Sequence, residues 1–555
     1  MEQGVALLQG GRFHEAVQAF ANALRMQPLA PEPRVGLAQA FTGTGDGWAA
    51  TAWMSDACRV APQRVELWQE LARMLLAQKR ESELEPMLLT GVAANPDSTA
   101  LRLMAGELYL KHHVYAKALP HYERMNDIAP GDAATLLNYG FCMEHSGAVE
   151  KSVMLYRQAL AARQDFMEAH VDLSGVLWRV EDFDGALAHA LKAVELAPDN
   201  AYAVRILGTA YLNLNRLEDA ENALRRSLEL MPGFALAEID LSFALLLAGK
   251  LEEGWNFYAR RWRDTDRMKR PAFYNPELEW KGRGAQPLVG KRVAVYAEQG
   301  LGDVIQFIRY VRELQADGAV VFGVIQPELV TLVEHSFPAV LCLTQHRVLQ
   351  ADYHVALLDL PMHYGTAMEN IPASVPYLRP TEDKLREWAD RMPPAEGRLR
   401  VGLAWSGSLK QVNNNNRAVH LSQLMPLIEM SSLQCFSLQK GECGAFSDIE
   451  PSREQLIDLT PQWSDFADSA AMIENLDIVV TVDTSIAHLA GAMGKECWVL
   501  LAPNADWRWL LEREDSPWYP TMRLFRRDFG EPRSKQIGRV VQALKERLAL
   551  AQQEA

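Results

Sequence analysis

Polar residues able to bind an anion or move a proton follow an apolar stretch near the end of the chain. Residues 478–482 (IVVTV) are typical of a strand buried on both faces. Asp483, Thr484, Ser485 and His488 come next, where apolar residues begin to repeat with helical spacing. Because the first N–H groups of a helix bind phosphate readily, this pattern predicts a strand, turn and helix with a phosphate site over residues 477–495.

Within this motif Ser485 and His488 are three residues apart, so we expect them on one helix face, beside the buried stripe rather than on it. His488 is then either a ligand contact or a histidine that hydrogen-bonds a backbone carbonyl. The two interpretations are equally compatible with the sequence.

Asp303 is a second candidate, because it follows a glycine turn after the predicted strand 292–297 (RVAVYA). Gly300 and Gly302 would let a substrate approach the backbone closely. A carboxylate at this strand end would face a cleft and can act as a general base. The alternative is a helix cap, since an aspartate in the first turn satisfies N–H groups and suits the helix dipole.

Two further turns follow predicted strands in the C-terminal part. Ser406 and Gly407 come after the strand 400–405 and offer a hydroxyl and backbone N–H groups to a phosphate. Lys440, after the strand 434–438, either adds a positive charge or lies at the rim of the sheet. Since no cluster of His, Cys and Asp has metal-ligand spacing, we expect chemistry that needs neither a metal nor a bound cofactor.

Strand and helix patterns alternate in two blocks, which predicts parallel sheets covered by helices, among them helices over 303–315 and 421–430. The fold class is therefore α + α/β, with Rossmann-like domains over residues 291–392 and 393–533 and a C-terminal helix over 534–555. Two such domains place ligands in the cleft outside the carboxyl ends of their strands. Residues 271–290, with their Pro and Gly content, are predicted to be a linker.

The first half of the chain, residues 1–270, is an array of about seven to eight repeats. Prolines recur every 34 residues, at Pro28, Pro62, Pro96, Pro130, Pro198 and Pro232, with Gln164 at the missing position. Small residues lie 24 residues before each of these seven positions, at Gly4, Ala38, Ala72, Gly106, Gly140, Ser174 and Gly208. Mostly larger side chains lie eight residues before each of them, at Phe20, Met54, Leu88, Tyr122, Tyr156, Ala190 and Leu224. The period and pattern resemble the tetratricopeptide repeat.

Each repeat buries its apolar face only against its neighbours, so such an array is an all-α solenoid with a concave surface. That surface is expected to hold a protein or peptide partner. The alternative is that the array makes a homo-oligomer or supports the second half of the chain.

Composition excludes several classes of protein. A net charge of −15 argues against a general binder of nucleic acids or anionic membranes. No apolar run reaches about 18 residues, so no membrane insertion is expected. The N-terminus lacks the pattern of a signal peptide, and six scattered cysteines suit free thiols in a reducing compartment, so we expect a cytoplasmic protein.

Four motifs occur in order: GLGDVIQFIRYV (300–311), VGLAWSGS (401–408), RAVHLSQL (417–424) and VDTSIAHLAGAMGK (482–495). Through them residues 291–529 resemble the heptosyltransferase-like branch of the glycosyltransferase-B fold. The resemblance implies that Asp303 is the catalytic base, and that Arg417 is a cation reaching the donor phosphates while Asp483 binds the donor sugar. It also puts Gln299, Gly300, Gly302 and Gln306 in a turn on the acceptor side.

The resemblance implies an inverting glycosyltransferase that uses a nucleotide sugar as co-substrate. Repeats fused to this fold resemble, in domain order, the enzymes that glycosylate serine or threonine, so the expected acceptor is a protein held by the repeats. A flagellin or another bacterial surface protein is one such acceptor. The alternatives are a non-catalytic repeat scaffold and a small-acceptor transferase of glycan or lipopolysaccharide assembly.

Two segments of this half depart from a simple pattern. The asparagine-rich loop LKQVNNNN (409–416) is interpreted as a flap over the donor or a poorly ordered loop. Trp507, Trp509 and Trp518, with Arg508 and Arg513 between them, are expected to pin a crossing segment onto the sheet rather than to bind a sugar.

Overall fold

The computed structural model describes residues 1–265, 268–343, 350–409, 411–441, 443–452 and 454–554. The chain divides into two compact units, Met1–Val176 and Leu177–Ala555. The first unit contains helices throughout, whereas the second combines helices with two parallel sheets.

Consecutive helices of the first unit pack against each other along the chain. They are α1 (Glu2–Gln9), α2 (Phe13–Met26), α3 (Pro31–Thr44), α4 (Gly47–Val60), α5 (Val65–Ala77), α6 (Glu81–Ala94), α7 (Thr99–Lys111), α8 (Tyr115–Ile128), α9 (Ala133–His145), α10 (Val149–Ala162) and α11 (Met167–Leu177), which ends one residue beyond the unit. The prolines of the repeat pattern follow the even-numbered helices. Proline cannot continue a helix, and Pro28 and Pro62 lie just after the ends of α2 and α4.

Small residues in the first helix of a repeat face large side chains in the second. A methyl group added at Gly106 would lie 2.7 Å from Cζ of Tyr122, and one at Gly140 would lie 2.7 Å from Cε1 of Tyr156. Both rings are fully buried. The contact between the small and large positions therefore sets the distance between the paired helices.

The second unit begins with five helices. They are α12 (Phe183–Leu196), α13 (Ala201–Asn213), α14 (Leu217–Leu230), α15 (Ala235–Leu247) and α16 (Leu251–Tyr258). Gly208 of α13 faces Leu224 of α14 in the same way, with 2.6 Å between an added methyl and Cγ. A short 3-10 helix, Ala259–Arg263, follows α16.

The first sheet is parallel and has the strand order β3-β2-β1-β4. Its strands are β1 (Arg292–Tyr296), β2 (Val320–Val324), β3 (Leu341–Leu343) and β4 (Tyr353–Ala356). The accompanying helices are α17 (Leu301–Phe307), α18 (Val311–Ala316), α19 (Pro327–Ser336), α20 (Leu360–His363) and α21 (Glu382–Arg391).

The helix predicted over 303–315 is interrupted by a 3-10 turn, Ile308–Tyr310, between α17 and α18. The buried Arg309 donates from Nε to the carbonyl of Gln306 at 2.7 Å and from Nη1 to the carbonyl of Trp518. Because the Arg309 side chain binds a carbonyl at the end of α17, the regular helical hydrogen-bond ladder is interrupted there.

The second sheet is also parallel, with the strand order β10-β9-β8-β5-β6-β7. Its strands are β5 (Leu399–Ala404), β6 (Leu433–Ser437), β7 (Leu456–Asp458), β8 (Ile478–Val482), β9 (Cys497–Leu501) and β10 (Met522–Arg526). The helices of this part are α22 (Asn414–Arg417), α23 (Met425–Ile428), α24 (Phe466–Glu474), α25 (Ser485–Ala492) and α26 (Arg533–Glu554).

Two differences from the sequence expectations concern this sheet. The helix expected over 421–430 is a 3-10 helix, Leu421–Leu424, followed by α23, since Pro426 disfavours continuous helix before it. The edge strand β10 was not predicted, because Arg523 and Arg526 interrupt its apolar run.

The segments that join these parts are packed rather than free. Trp280, in the predicted linker 271–290, is fully buried and donates its backbone N–H to the carbonyl of His354 on β4 at 2.9 Å. Tyr377 lies in the segment that leads from the first sheet to the second. It donates its backbone N–H to the carbonyl of Ala492, at the end of α25, at 2.9 Å. The domain limits at 270, 290, 392 and 533 stay a prediction.

One apolar core runs through the second unit and joins α16, the first sheet and α25. At its centre Trp255 of α16 contacts Phe307 of α17, with 6.0 Å between ring centroids, and Trp507, with 5.2 Å. Trp507, Trp509 and Trp518 are buried, as expected for side chains that pin a crossing segment.

The glycine contacts predict that Gly106→Ala destabilises the first unit. The methyl would meet a ring that is fully buried and cannot move aside, and overpacking of this kind costs about 1–3 kcal/mol. Denaturant unfolding of the full chain, followed by circular dichroism, measures the change.

Gly10→Ala is the matched control, because the nearest atom to its added methyl is the Ala6 carbonyl oxygen at 3.4 Å. We expect its free energy of unfolding to stay within about 0.5 kcal/mol of the natural chain. Equal effects of the two substitutions would contradict the packing argument.

Candidate functional site

Helix α25 brings the two sheets of the second unit together, because it packs against α17 as well as against β8 and β9. At the contact a methyl group on Gly302 would lie 2.9 Å from Cδ2 of His488 and 3.6 Å from Cα of Ser485. The glycine thus permits a close approach, and the turn after β1 lies directly against the start of α25.

A buried guanidinium lies beside this contact and holds Asp303. Arg508 donates from Nη2 to Oδ1 of Asp303 at 2.5 Å, from Nη1 to Oδ1 of Asp506 at 2.9 Å and from Nε to Oε1 of Gln306 at 2.6 Å. Each edge of the arginine is therefore used. The arrangement ties the segment after β9 to the turn after β1.

Asp303 caps α17, which is one of the two roles that its sequence position allows. Its Oδ2 accepts the backbone N–H of Gly300 at 2.9 Å, which is a capping contact of α17, while Oδ1 accepts from Arg508. Each carboxylate oxygen has a second lone pair, so acceptor capacity remains. Burial raises the pKa of Asp303, and the attraction of Arg508 works against that rise. A raised pKa suits a general base near neutral pH.

Asp483 and Arg417 form the other charged part of the site. Burial raises the pKa of Asp483, and the positive charge of Arg417 opposes the rise. The Arg417 guanidinium packs against Gly407 so closely that any methyl group there would overlap its Nη2. Gly407 is therefore needed at this point because it leaves room for the arginine.

His488 does not lie beside the buried stripe, which corrects the sequence expectation. Helix α25 is covered on all sides from Ile486 to Ala492, since α17 covers the face that would otherwise be exposed. The Nδ1 atom of His488 is 2.9 Å from the hydroxyl oxygen of Tyr519, and its ring stacks on Trp509 at 5.5 Å. Its hydrogen-bond partner is a phenol, not the backbone carbonyl considered from the sequence. Burial lowers the pKa of His488 well below its usual value, so the ring is neutral.

A cavity of about 530 Å³ opens at the carboxyl ends of β5, β6 and β8. Thr484 and Ser485, at the start of α25, line one side. The first N–H groups of a helix have no partner within the helix, so this side can bind an anion. Leu301 and Glu328, from the first sheet domain, line the other side.

The remaining walls of this cavity are of two kinds. Apolar side chains and the buried Trp463 could cover a flat aromatic ring, whereas carboxylates suit sugar hydroxyls. The apolar residues are Leu409, Leu438, Phe466 and Ile486, and the carboxylates are Glu328 and Asp465. The indole Nε1 of Trp463 is buried and has no hydrogen-bond partner among the described residues.

Ser406 and Gly407 line the cavity, but their backbone N–H groups are already used. The N–H of Ser406 donates to Oε1 of Gln439 at 2.9 Å, and that of Gly407 donates to Oδ1 of Asn414 at 3.0 Å. The expectation that these N–H groups would be open to a phosphate is therefore wrong in this structure. Side-chain amides hold the turn in shape instead.

The asparagine-rich loop is likewise not a free flap in its described part. Asn414 and Asn416 are almost completely buried within the short helix α22, and Asn416 donates to the carbonyl of Trp178 at 3.0 Å. Amides pack here because each finds a hydrogen-bond partner. Lys410 lies outside the described residues.

Lys440 lines the cavity, and its Nζ donates to the carbonyl of Trp463 at 2.6 Å. This contact fixes the ammonium group at the wall, so a positive charge is present there.

Thr484 is buried, and its hydroxyl oxygen lies 3.2 Å from that of Thr481.

The other acceptor-side residues divide between two directions. Gln299 donates from Nε2 to the hydroxyl of Tyr258 at 2.7 Å. Gln306 is fully buried beside Arg508, and its Nε2 has no partner among the described residues. Gly300 contributes the N–H that holds Asp303.

Sequence reasoning missed Arg508 and Asp506 as site residues. The available signal was the unusual density of Trp and Arg over residues 507–518, which was interpreted as structural.

Among the residues that the structure describes, no group of three His, Cys, Asp or Glu is arranged to hold a metal. Within the same residues, no helix is long and apolar enough to cross a membrane.

Comparison with known families confirms the repeats. Residues 11–165, and residues 146–201 and 172–234, match sequence profiles of the tetratricopeptide repeat. Among solved structures, YrrB, a tetratricopeptide-repeat protein with an unusual peptide-binding site, is 17% identical, with a TM-score of 0.30, and the match covers 34% of this chain and 96% of that one. MamA from Desulfovibrio magneticus is 20% identical, with a TM-score of 0.27, over 30% of this chain and 94% of that one. Nothing about function follows from likenesses this low.

Two curated proteins are similar to the chain over different shares of its length. Protein FlbA of Caulobacter vibrioides is 27% identical over 472 residues, which cover 78% of this chain and 75% of that protein. Because the repeats make up only about half of the chain, this likeness must include part of the sheet domains. The human protein O-mannosyl-transferase TMTC3 is 24% identical over 36% of this chain, but only 24% of the human protein is covered.

The charge arrangement predicts that Arg508→Met destabilises the second unit strongly. Asp303 and Asp506 would be left without their cation, and breaking a buried pair in this way costs about 3–5 kcal/mol. The pKa of Asp303, already raised, would rise further, so the loss is largest at pH 8 and shrinks as protonation neutralises the carboxyl towards pH 5. Urea unfolding at both pH values, followed by tryptophan fluorescence, measures it.

Arg513→Met serves as control, since Arg513 pairs with the exposed Asp515. Exposed pairs contribute about 0–1 kcal/mol, so a small effect without pH dependence is expected. A loss for Arg508→Met that did not change with pH would contradict the assignment of uncompensated carboxylates.

Proposed function

We propose that the chain is a nucleotide-sugar-dependent inverting glycosyltransferase of the glycosyltransferase-B fold. The observation that carries this proposal is the 530 Å³ cavity between two parallel sheets, with the N-terminus of α25 on one wall and Asp303 in the turn packed against that helix. Open α/β sheets bind ligands outside the carboxyl ends of their strands, which is where this cavity lies.

The cavity can hold the three parts of a nucleotide sugar. The diphosphate would lie at the N-terminus of α25. Its cations would be Lys440 of the cavity wall and Arg417, which packs on Gly407 of that wall. The base would lie against Leu438 and Phe466. Carboxylates such as Asp465 suit the ribose hydroxyls.

The chemistry then follows from the positions of Asp303 and α25. The oxygen of an acceptor hydroxyl attacks the anomeric carbon and gives its proton to Asp303. The bond from that carbon to the leaving phosphate breaks on the opposite side, and the developing charge on the diphosphate is stabilised by the helix N-terminus and Arg417. No metal takes part in this scheme.

A protein held by the repeats is the proposed acceptor. Tetratricopeptide repeats generally bind peptides or proteins, and the name of the human relative, a protein O-mannosyl-transferase, is in line with a hydroxyl on a polypeptide. A repeat scaffold without turnover and a transferase for small acceptors are the competing functions, and donor turnover separates the scaffold from both transferases.

Asp303→Asn tests the base. The amide keeps the shape of the side chain but cannot take a proton, so we expect nucleotide release to fall by about 10²–10⁴-fold. Turnover is measured with ADP-, UDP-, GDP- and CMP-sugars, and calorimetry with the accepted donor is expected to show binding changed by no more than a few fold.

Asp383→Asn is its control, because that carboxylate is 97% exposed on α21. If the natural chain neither binds nor consumes any of these donors, the scaffold function holds instead.

Arg417→Met tests the donor side. The loss of a charge-assisted contact to phosphate, worth about 1.5–3 kcal/mol, is expected to weaken donor binding by about 10–100-fold. Arg398→Met, at the amino end of β5 and away from the cavity, is expected to leave the dissociation constant unchanged. Equal binding by the two variants would place the phosphates elsewhere.

A further inference from the structure

A buried ion cluster joins the last repeat helices to the turn that carries Asp303. Arg261, in the 3-10 helix after α16, donates from Nη2 to Oε1 of Glu298 at 2.6 Å and from Nη1 to Oδ1 of Asp359 at 2.5 Å. The side chains of Arg261 and Glu298 are each 2% exposed. Glu298 is the second residue after β1, so the cluster grips the beginning of the turn.

The next residue of the turn is held from the same side. Gln299 donates from Nε2 to the hydroxyl of Tyr258, the last residue of α16, at 2.7 Å. The carbonyl of Gln299 accepts Nε2 of Gln326 at 2.7 Å. Glu298 and Gln299 are thus each held by a side chain of the segment that ends the repeats, Arg261 in the first case and Tyr258 in the second.

The orientation of this turn determines where the Asp303 carboxylate lies. Gly300 is extended, with φ −70° and ψ 167°, and its N–H binds Oδ2 of Asp303. A rotation of the chain at Glu298 or Gln299 would therefore move the N–H that holds the carboxylate. The contacts made by Arg261, Tyr258 and Gln326 oppose such a rotation.

The cluster is poorly suited to a purely stabilising role. One cation faces two carboxylates, and Nε of Arg261 and Oε2 of Glu298 have no partners among the described residues. Buried ion pairs of this kind are often no more stable than apolar residues of the same size. Their best-attested use is to specify one arrangement among several.

We propose that Arg261 is a positioning residue of the transferase site, through which the end of the repeat array sets the turn 298–303 and so the Asp303 carboxylate. The inference rests on the proposed function for its catalytic consequence, but the positioning itself does not depend on it. The segment that ends the repeat array, α16 and the 3-10 helix after it, then belongs to the same site as the sheet domains.

The charge of Glu298 adds a pH dependence to this arrangement. Burial raises the pKa of Glu298 to about 7, although Arg261 opposes the rise. The groups that face it are Arg261, Asp359, Asp303, Tyr258 and Tyr296. Above pH 7 the ion pair with Arg261 is complete, whereas below pH 7 Glu298 takes up a proton and the pair weakens.

Hydrogen exchange of the full chain tests the positioning without any substrate. In Arg261→Met the amides of residues 298–306 are expected to exchange at least about tenfold faster, while those of residues 477–495 are unchanged. Arg260→Met is the matched control, because its neighbour Arg260 pairs with Glu238 and does not touch the turn. In the natural chain, protection of 298–306, corrected for intrinsic rates, should fall between pH 8 and pH 6. This fall should be absent in Arg261→Met, where protonation of Glu298 removes an uncompensated charge instead of weakening an ion pair.

Several results decide the matter. Unchanged exchange at 298–306 in Arg261→Met overturns the proposal, and so does a uniform increase across the whole second unit, which would mean general destabilisation. If Arg261→Met fails to fold, Arg261→Lys is used. Protection of 298–306 in Arg261→Lys that lies between that of the natural chain and full exposure supports positioning. Protection equal to that of the natural chain overturns it.

Turnover gives the catalytic consequence. With whichever nucleotide sugar the natural chain consumes, Arg261→Met is expected to lower kcat at least about tenfold and leave the donor dissociation constant unchanged, because the donor lies on the other domain. If the natural chain consumes none, the proposed function fails, and the exchange experiment still decides whether Arg261 positions the turn.

Discussion

The site depends on one arginine that has been taken out of water. Arg508 is held by Asp303, Asp506 and Gln306, which come from two different chain segments, and every edge of its guanidinium is used. An isolated charge in such a place would be very costly, so these partners must stay together. That requirement fixes the turn after β1 against the segment after β9, and the close contact of Gly302 with His488 then follows.

Polar contacts within the site fall into two kinds with different consequences. Around Ser406 and Gly407, the amides of Gln439 and Asn414 satisfy backbone N–H groups, so the turn is shaped before any ligand arrives. At the start of α25, by contrast, Thr484 and Ser485 line the cavity, and the first N–H groups of a helix have no partner within the helix. The turn at Ser406 and Gly407 thus keeps its shape without a ligand, whereas the start of α25 is the wall suited to binding an anion.

Much of this fold could be predicted from the sequence because its signals are local. The 34-residue period, the glycines that face Tyr122 and Tyr156, and the strands β8 and β9 follow from spacing and apolar runs. Arg508 could not be predicted as a partner of Asp303, because the pair depends on how two domains meet. The burial of His488 was missed for the same reason, since the face of α25 that looks exposed in a helical projection is covered by α17. The burial of Asn414 was also missed, because a run of amides is usually solvated. Only the tertiary contacts show that its amide has partners.

The aromatic core of the second unit has a consequence for the order in which the chain is made. Trp255 is packed against Trp507 and Trp518, which leave the ribosome about 250 residues later, roughly 10–50 s at about 5–20 residues per second. During that interval α16 can be covered by α15 and by Phe307, which are made earlier, but the part of Trp255 that meets Trp507 and Trp518 has no partner. The end of the repeat array therefore exposes apolar surface in the nascent chain, although Trp255 is buried in the finished molecule.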